Sequence, residues 1–350
     1  GNLVFTIDRL LKKSGIISYI YAFEINCMDK EHEIHLYKDI PVLFESDILI
    51  LHMAAENYMS DILEVYDCYK ILYYHNITPP EFFYGYDDFA EKSTKNALKQ
   101  MEKMKKVIDY CITDSNYNKE QLLLMNYSCP IDVVPVLLDK SQFEEDINKE
   151  IINKYNHNKK NIIFVGRIVP NKKIDDIIKC FSAYKKDINS NARLILIGKY
   201  SPESKYYLEL VSLIEELEVE DVIFTGYVTQ KDLVSYYQCA DLFLCLSEHE
   251  GYCVPLIESM YYGIPIIAYK AGAVEETLGE AGILLENKDI SEVIKKMDDV
   301  LNKRYDRNKM LQEMKNKVKY LTNGEIDKNL LNIIKGIWER RNDRNRQSDY

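Results

Sequence analysis

In FVGRIVPNKK, residues 164–173, a strand-like run ends at Gly166, Arg167 follows at its carboxyl end, and Lys172 stands where the next helix begins. Two cations beside a helix N-terminus suit a diphosphate. The guanidinium forks onto two oxygens, the ammonium supplies a point charge, and the helix dipole adds its own attraction. Taken alone, G-R-x(4)-K reads sooner as an exposed basic turn.

A second stretch, LSEHEGYCVPLIESM at 246–260, follows the apolar run DLFLCL and carries Glu250 and Glu258 with seven residues between them. It reads as a strand-to-helix turn with Pro255 at the first helical position. Backbone N–H groups near Gly251, Tyr252, Cys253 and Val254 can then meet anionic oxygens. Carboxylates beside such oxygens would repel them, so Glu250 on the loop and Glu258 one turn into the helix are suited to accept hydrogen bonds from sugar hydroxyls. The competing reading makes Glu258 a favourable acid in a helix's first turn.

The third stretch is LYYHNITPPEFF, residues 72–83, where His75 ends an apolar strand and the proline pair halts any immediate helix. A histidine at a strand's carboxyl end is a candidate base or hydroxyl ligand. A lone histidine is more often a satisfied structural residue.

The elements that must position these groups alternate. IISYIYAF, SDILILHM, KILYYHN, YCIT and IDVVPV read as strands, with helical patterns such as ENYMSDILEVYDC and EKSTKNALKQMEKMKKVIDY between several of them. After a polar stretch from Asp139 to Asn161 the alternation restarts with NIIFVGRI, ARLILIG, DVIFTG, DLFLCLS, IPIIAY and GILLE. Only helical patterns follow Asp289. This order predicts an α/β chain with two doubly wound Rossmann-like domains and a helical tail. We expect residues 1–145 to form the first domain, 146–160 a linker, 161–322 the second domain and 323–350 a helix crossing back to the first. Ligands of such sheets bind beyond the strands' carboxyl ends, and two sheets facing each other make a cleft. GNLVFTIDRLLKKSG reads as a helix, so the numbering is expected to omit a first strand and its loop.

The formal charge of −11, from 45 basic and 56 acidic residues, argues against a nucleic-acid partner, which needs a basic face. Eight cysteines without C-x-x-C pairs, several (Cys111, Cys180, Cys239, Cys245) within apolar runs, read as buried thiols of a reducing cytoplasm rather than a zinc site. No run reaches the ~18 apolar residues of a membrane span. The basic helix from Lys92 to Lys106 reads either as a solvated face or as a peripheral contact with the inner face of an anionic membrane. Oligomeric state is not legible.

Together these motifs resemble a family 4 glycosyltransferase of GT-B fold. The second domain carries the likeness from GRIVPNKK through FTGYVTQKDLVSYYQCADLFLCLSEHEGYCVPLIESMYYGIPIIAYKAGAVEE. The first resembles a bacterial and archaeal mannosyl-, rhamnosyl- and glucosyltransferase-like subgroup through YYHNITPPEFFYGYDD, TDSNYNKEQL and VVPVLLDKSQF. The resemblance implies a UDP- or GDP-linked sugar as donor and a saccharide or lipid-linked glycan as acceptor. It also implies anomeric retention, with no cofactor and no catalytic metal, and no D-x-D triplet occurs in the chain. It assigns Arg167 and Lys172, beside Gly166, to the donor diphosphate, Glu258 to the ribose, and Glu250 to the sugar. His75 would contact donor sugar and acceptor near the reacting carbon. Cys253 and Lys173 depart from the family, which commonly has glycine at both. The alternatives are a nucleotide-sugar epimerase or hydrolase of the same fold, or a non-catalytic nucleotide-sugar-binding subunit of a partner transferase.

Overall fold

A computed structural model describes residues 2–25, 33–156 and 159–348. It divides into two compact units. The first holds the chain up to Ile77, Ser93–Asp139 and everything from Leu321, and the second holds Thr78–Lys92 and Lys140–Tyr320.

In the first unit α1 (Asn2–Lys13) buries Ile7, Asp8 and Leu11 on one face, and Gly15 at φ 77° turns the chain away from it. β1 (Ile20–Ala22) and β2 (Ile34–Leu36) make a small parallel pair. β3 (Ile48–Met53), β4 (Tyr69–Tyr74), β5 (Tyr110–Thr113) and β6 (Ile131–Val133) form a parallel sheet in that order. Leu51, Met53, Leu72 and Tyr74 pack beneath it against Ala97, Met101 and Met104. The last three lie at helical spacing on α2 (Asp88–Met104), whose Lys92, Lys95, Lys99 and Lys103 are exposed. α3 (Asn116–Leu124) follows β5.

The pattern ENYMSDILEVYDC predicts an α-helix, yet Tyr58–Val65 is wound as 3₁₀ turns. The Asn57 side chain accepts from the Met59 N–H at 2.9 Å, and the Asn57 N–H donates to Gln100 Oε1 at 2.9 Å, so the entry is pinned tightly. Met59, Ser60 and Leu63 are buried at spacings that the tighter winding also satisfies.

The second unit begins with α4 (Lys149–Tyr155) and the strand β7 (Lys160–Val165). α5 (Ile174–Asp187), β8 (Ala192–Ile197), α6 (Lys205–Glu216), β9 (Val222–Gly226) and α7 (Gln230–Cys239) follow. Next come β10 (Leu242–Cys245), α8 (Val254–Tyr261), β11 (Ile266–Tyr269), α9 (Val274–Leu278) and β12 (Ile283–Leu285). The helices α10 (Ile290–Leu301) and α11 (Arg307–Thr322) complete the run. The stretch read as a linker is held down. The Asn148 N–H donates to Ser235 Oγ at 2.7 Å and its side-chain amide to Asp232 at 2.8 Å, both on α7. The final helix α12 (Glu325–Ser348) groups with the first unit, burying Ile326, Leu330, Ile334 and Ile337 at three- and four-residue steps.

The sheet of this unit is parallel throughout, in the order β12-β11-β10-β7-β8-β9. Its central strands are near-continuous apolar runs because helices cover both faces. Ile162, Leu194, Leu196, Leu242 and Leu244 are fully buried in a core with Ile174, Ile177, Ile178 and Phe181 of α5. The chain fills one side from β7 through β9, then returns to β7's other edge with β10. The order therefore reverses between β7 and β10, and this switch point is where open α/β sheets hold ligands.

Candidate functional site

The first two motifs sit on the two strands that flank the switch point. Gly166 follows β7 at φ 154°. A Cβ on Gly198, after β8, would lie 2.0 Å from the Gly166 carbonyl oxygen, so the chain passes here only without side chains. Arg167 emerges exposed, and its guanidinium pairs with no acid among the described residues. The Pro170–Lys172 turn then delivers Lys172, and Lys173 adopts φ 52° before α5.

Beyond β10, residues 246–253 form a loop held from three directions. Asn171 accepts from the Glu248 N–H at 2.9 Å and donates to the His249 carbonyl at 3.2 Å. The Ala273 N–H donates to the Glu250 carbonyl at 2.9 Å, and Gly272 at φ 57° lies so close that a Cβ would fall 2.3 Å from that oxygen. Thr277 on α9 donates its hydroxyl to the Tyr252 carbonyl at 2.6 Å. Lys288, which pairs with Glu248, also reaches Asp176 of α5 at 2.7 Å. Cys253 then caps α8 in the left-handed conformation, φ 65°, and offers no side-chain cap to the helix N–H groups.

This arrangement brings Lys172 and Glu250 together. Their Nζ and Oε1 are 2.7 Å apart, with the two side chains 21% and 8% exposed. Burial works to lower the Lys172 pKa, but the Glu250 carboxylate and, to a lesser degree, the Cys253 and Cys245 sulfurs together hold the ammonium above its usual range. Burial pushes the neighbouring His249 imidazole down to about 4, so it is neutral at ordinary pH. Glu258 is the fifth residue of α8, beyond the first turn. It accepts from Tyr237 Oη at 2.6 Å, and burial raises its pKa against the lowering effect of that bond. The reading of Glu258 as a first-turn acid therefore does not describe its position. Gly251, Tyr252 and Cys253 lie on the loop and Val254 opens α8.

His75 lies in the first unit, directly after β4. Its Nδ1 is 2.7 Å from Asp114 Oδ2, after β5, and its Nε2 is 2.8 Å from His52 Nδ1, on β3. Three successive strands thus each contribute one member at the sheet's carboxyl edge. The arrangement that satisfies all three has Asp114 accepting from His75 Nδ1–H and His75 Nε2 accepting from His52. Burial, then the neighbouring His75, holds the His52 pKa well below its ordinary value. Asp114 Oδ1 and Asn118 Nδ2, at the same edge, are buried without a protein partner.

Sequence reasoning did not single out Asn171, Gly272, Thr277, Tyr237, His52 or Asp114. Asn171, Gly272, Tyr237 and Asp114 lie inside the quoted motifs, and Gly272 could have been flagged as a glycine in a strand-to-helix turn. For Thr277 and His52 no local signal exists.

Residues 145–319, half of the chain, match the family described as glycosyl transferases group 1, and the chain belongs to that family. Among curated proteins it is 24% identical over 275 residues to a 41.2 kDa protein of the cps region of Klebsiella pneumoniae, covering 72% of this chain and 68% of that one. To the O-antigen chain mannosyltransferase B of Escherichia coli it is 24% identical over 211 residues, spanning 59% of this chain and about half (53%) of that relative. Among solved structures, sucrose-phosphate synthase of Thermosynechococcus elongatus superposes with a TM-score of 0.74 at 15% identity, covering 96% of this chain and 93% of that one. The fold is GT-B. No helix among the described residues is long and apolar enough to cross a membrane.

Proposed function

We propose that the protein transfers a hexose from a UDP- or GDP-linked sugar to a saccharide or lipid-linked glycan, with retention of anomeric configuration and without a catalytic metal. The observation that carries the reading is that exposed Arg167, which meets no acid among the described residues, and the Lys172–Glu250 ion pair both lie on segments that follow β7 and β10, the strands at the switch point of the second unit. Family membership supports the same reaction class. In this reading Arg167 and Lys172 meet the diphosphate, aided by the uncapped start of α8 and the backbone at Gly166. Glu250 receives a hydroxyl of the sugar and Glu258 the ribose. His75, held by Asp114, is the candidate for contact with the transferred sugar and the acceptor.

The physical logic is differential stabilisation. The departing diphosphate gains negative charge in the transition state, and fixed cations with aligned N–H groups favour that gain over the ground state. Lys172 leaves Glu250 for phosphate oxygens when donor arrives, which frees Glu250 to accept a sugar hydroxyl.

Arg167→Ala is expected to abolish binding of both UDP and GDP in titration calorimetry, and unchanged affinity would remove the diphosphate assignment. Transfer assayed with excess chelator, with the product anomer read by NMR, tests the two chemical features. Loss of activity or an inverted anomer contradicts them. Donor consumption that needs no acceptor would point instead to a hydrolase or epimerase.

A further inference from the structure

The loop that carries Glu250 is bounded by two buried cysteines, Cys245 at the end of β10 and Cys253 at the start of α8. One sulfur from each and a Glu250 carboxylate oxygen all lie within 4.8 Å of one another. Among the described residues this is the group of His, Cys, Asp and Glu side chains that converges closely enough to hold a metal ion. A tetrahedral ion with bonds of about 2.3 Å to sulfur and about 2.0 Å to oxygen holds its ligand atoms roughly 3.5–3.8 Å apart. The cluster therefore needs only a small contraction.

A second observation points to the Cys253 thiol. Its backbone is left-handed, φ 65°. Glycine enters that conformation without penalty, whereas a residue with a Cβ pays about 1 kcal/mol or more. The side chain does not recover this by capping α8. Its thiol instead meets that of Cys245, so the strained backbone serves the sulfur pair, and such strain is a reason to look for a use.

We propose that Cys245, Cys253 and Glu250 form a site for one thiophilic divalent cation of the zinc and cadmium type. The ion bonds both sulfurs and one carboxylate oxygen, and the two thiol protons leave to solvent. Charge balances: the two neutral thiols, Glu250 and Lys172 sum to zero before binding. The two thiolates, the carboxylate, the dication and the Lys172 ammonium sum to zero after it. Lys172 remains beside the loaded site as counter-ion rather than being expelled from it. Because the ion engages Glu250, bound cation and bound donor exclude each other. This last step rests on the donor reading above, and the cation site does not.

The test titrates the full chain, kept reduced with a phosphine, with Cd2+. Binding is read by the thiolate-to-cadmium absorption band and by equilibrium dialysis. One equivalent is expected, with cadmium NMR of the unsubstituted protein in the range of two-sulfur coordination. Cys253→Gly, which relaxes the backbone, should remove the band and weaken binding beyond the about 10–100-fold that outer-shell changes cost. Cys129→Ser is the control, because Cys111 and Cys129 form a separate sulfur pair 3.5 Å apart. It should change nothing. Absence of saturable binding, oxygen-only coordination, or a band that survives Cys253→Gly overturns the site. UDP and GDP affinities are then measured with and without cadmium, a Cys245→Ser chain, which lacks one sulfur ligand and no donor contact, correcting for ion chelated by the nucleotide. Weaker binding to the loaded protein supports exclusion and unchanged affinity overturns it, whereas no nucleotide binding by the metal-free chain removes the donor reading instead.

Discussion

At the scale of single residues, the Lys172–Glu250 pair is a buried ion pair whose worth lies in mutual compensation. Removing one partner strands the other charge and costs about 3–5 kcal/mol, whereas removing both is close to neutral. Lys172→Met should lower urea-denaturation stability by that amount, and Lys172→Met with Glu250→Gln should recover most of it. Equal loss in both variants would mean the pair is not coupled. His249 makes a second prediction. Its neutral form is favoured in the fold, so below pH 6.5 the folded chain binds fewer protons than the unfolded chain. Its contribution is thus complete above pH 6.5 and falls away as pH drops towards about 4, by on the order of 3 kcal/mol at about 1.4 kcal/mol per unit. His249→Gln should flatten the melting temperature against pH across that window, and an unchanged profile would contradict the burial argument. His52 acts in the same direction, so the slope will not vanish.

At the scale of elements, the site depends on how closely one turn approaches another. Gly272→Ala places a Cβ 2.3 Å from the Glu250 carbonyl oxygen at a residue with φ 57°. The 248–253 loop must then move. We expect weakened UDP or GDP binding and a stability loss of about 2 kcal/mol or more, from strain and the displaced hydrogen bond of Ala273. Retained affinity would show that the loop tolerates the shift. This element also shows what the sequence could and could not disclose. Strand and helix runs were legible because apolar periodicity reports burial directly. The two family departures, Cys253 and Lys173, both fall at left-handed positions, which is why glycine is common there. By contrast, the partners of Glu258 and His75 come from other strands and helices. Tyr237 is 21 positions from Glu258 and His52 is 23 from His75. No local pattern encodes such a meeting, and the entry to the 3₁₀ turns of Tyr58–Val65 is likewise tied to a distant group, the Asn57 N–H donating to Gln100.

At the scale of the whole molecule, the two units have separate cores, and the proposed nucleotide contacts all belong to one of them. A nucleoside diphosphate at a hundred times its dissociation constant adds about 2.7 kcal/mol to the folded state it binds. Hydrogen exchange should then slow in β7, β10 and α8, with the strands β3–β6 unaffected by nucleotide alone. Protection confined to the first unit would place the nucleotide elsewhere.

The reversal of strand order has a consequence for how the chain is made. β7 pairs with β8 as soon as that segment is synthesised, but its other edge waits for β10, with Ile162 meeting Leu242 about 80 positions later. At roughly 5–20 residues per second, that edge is open for roughly 4–16 s. NIIFV is apolar and β-branched, so for that interval the nascent protein presents an adhesive strand edge of the kind that invites mispairing. The place where the finished enzyme would hold its donor is thus the last seam of the sheet's centre to close, and the one most in need of protection during birth.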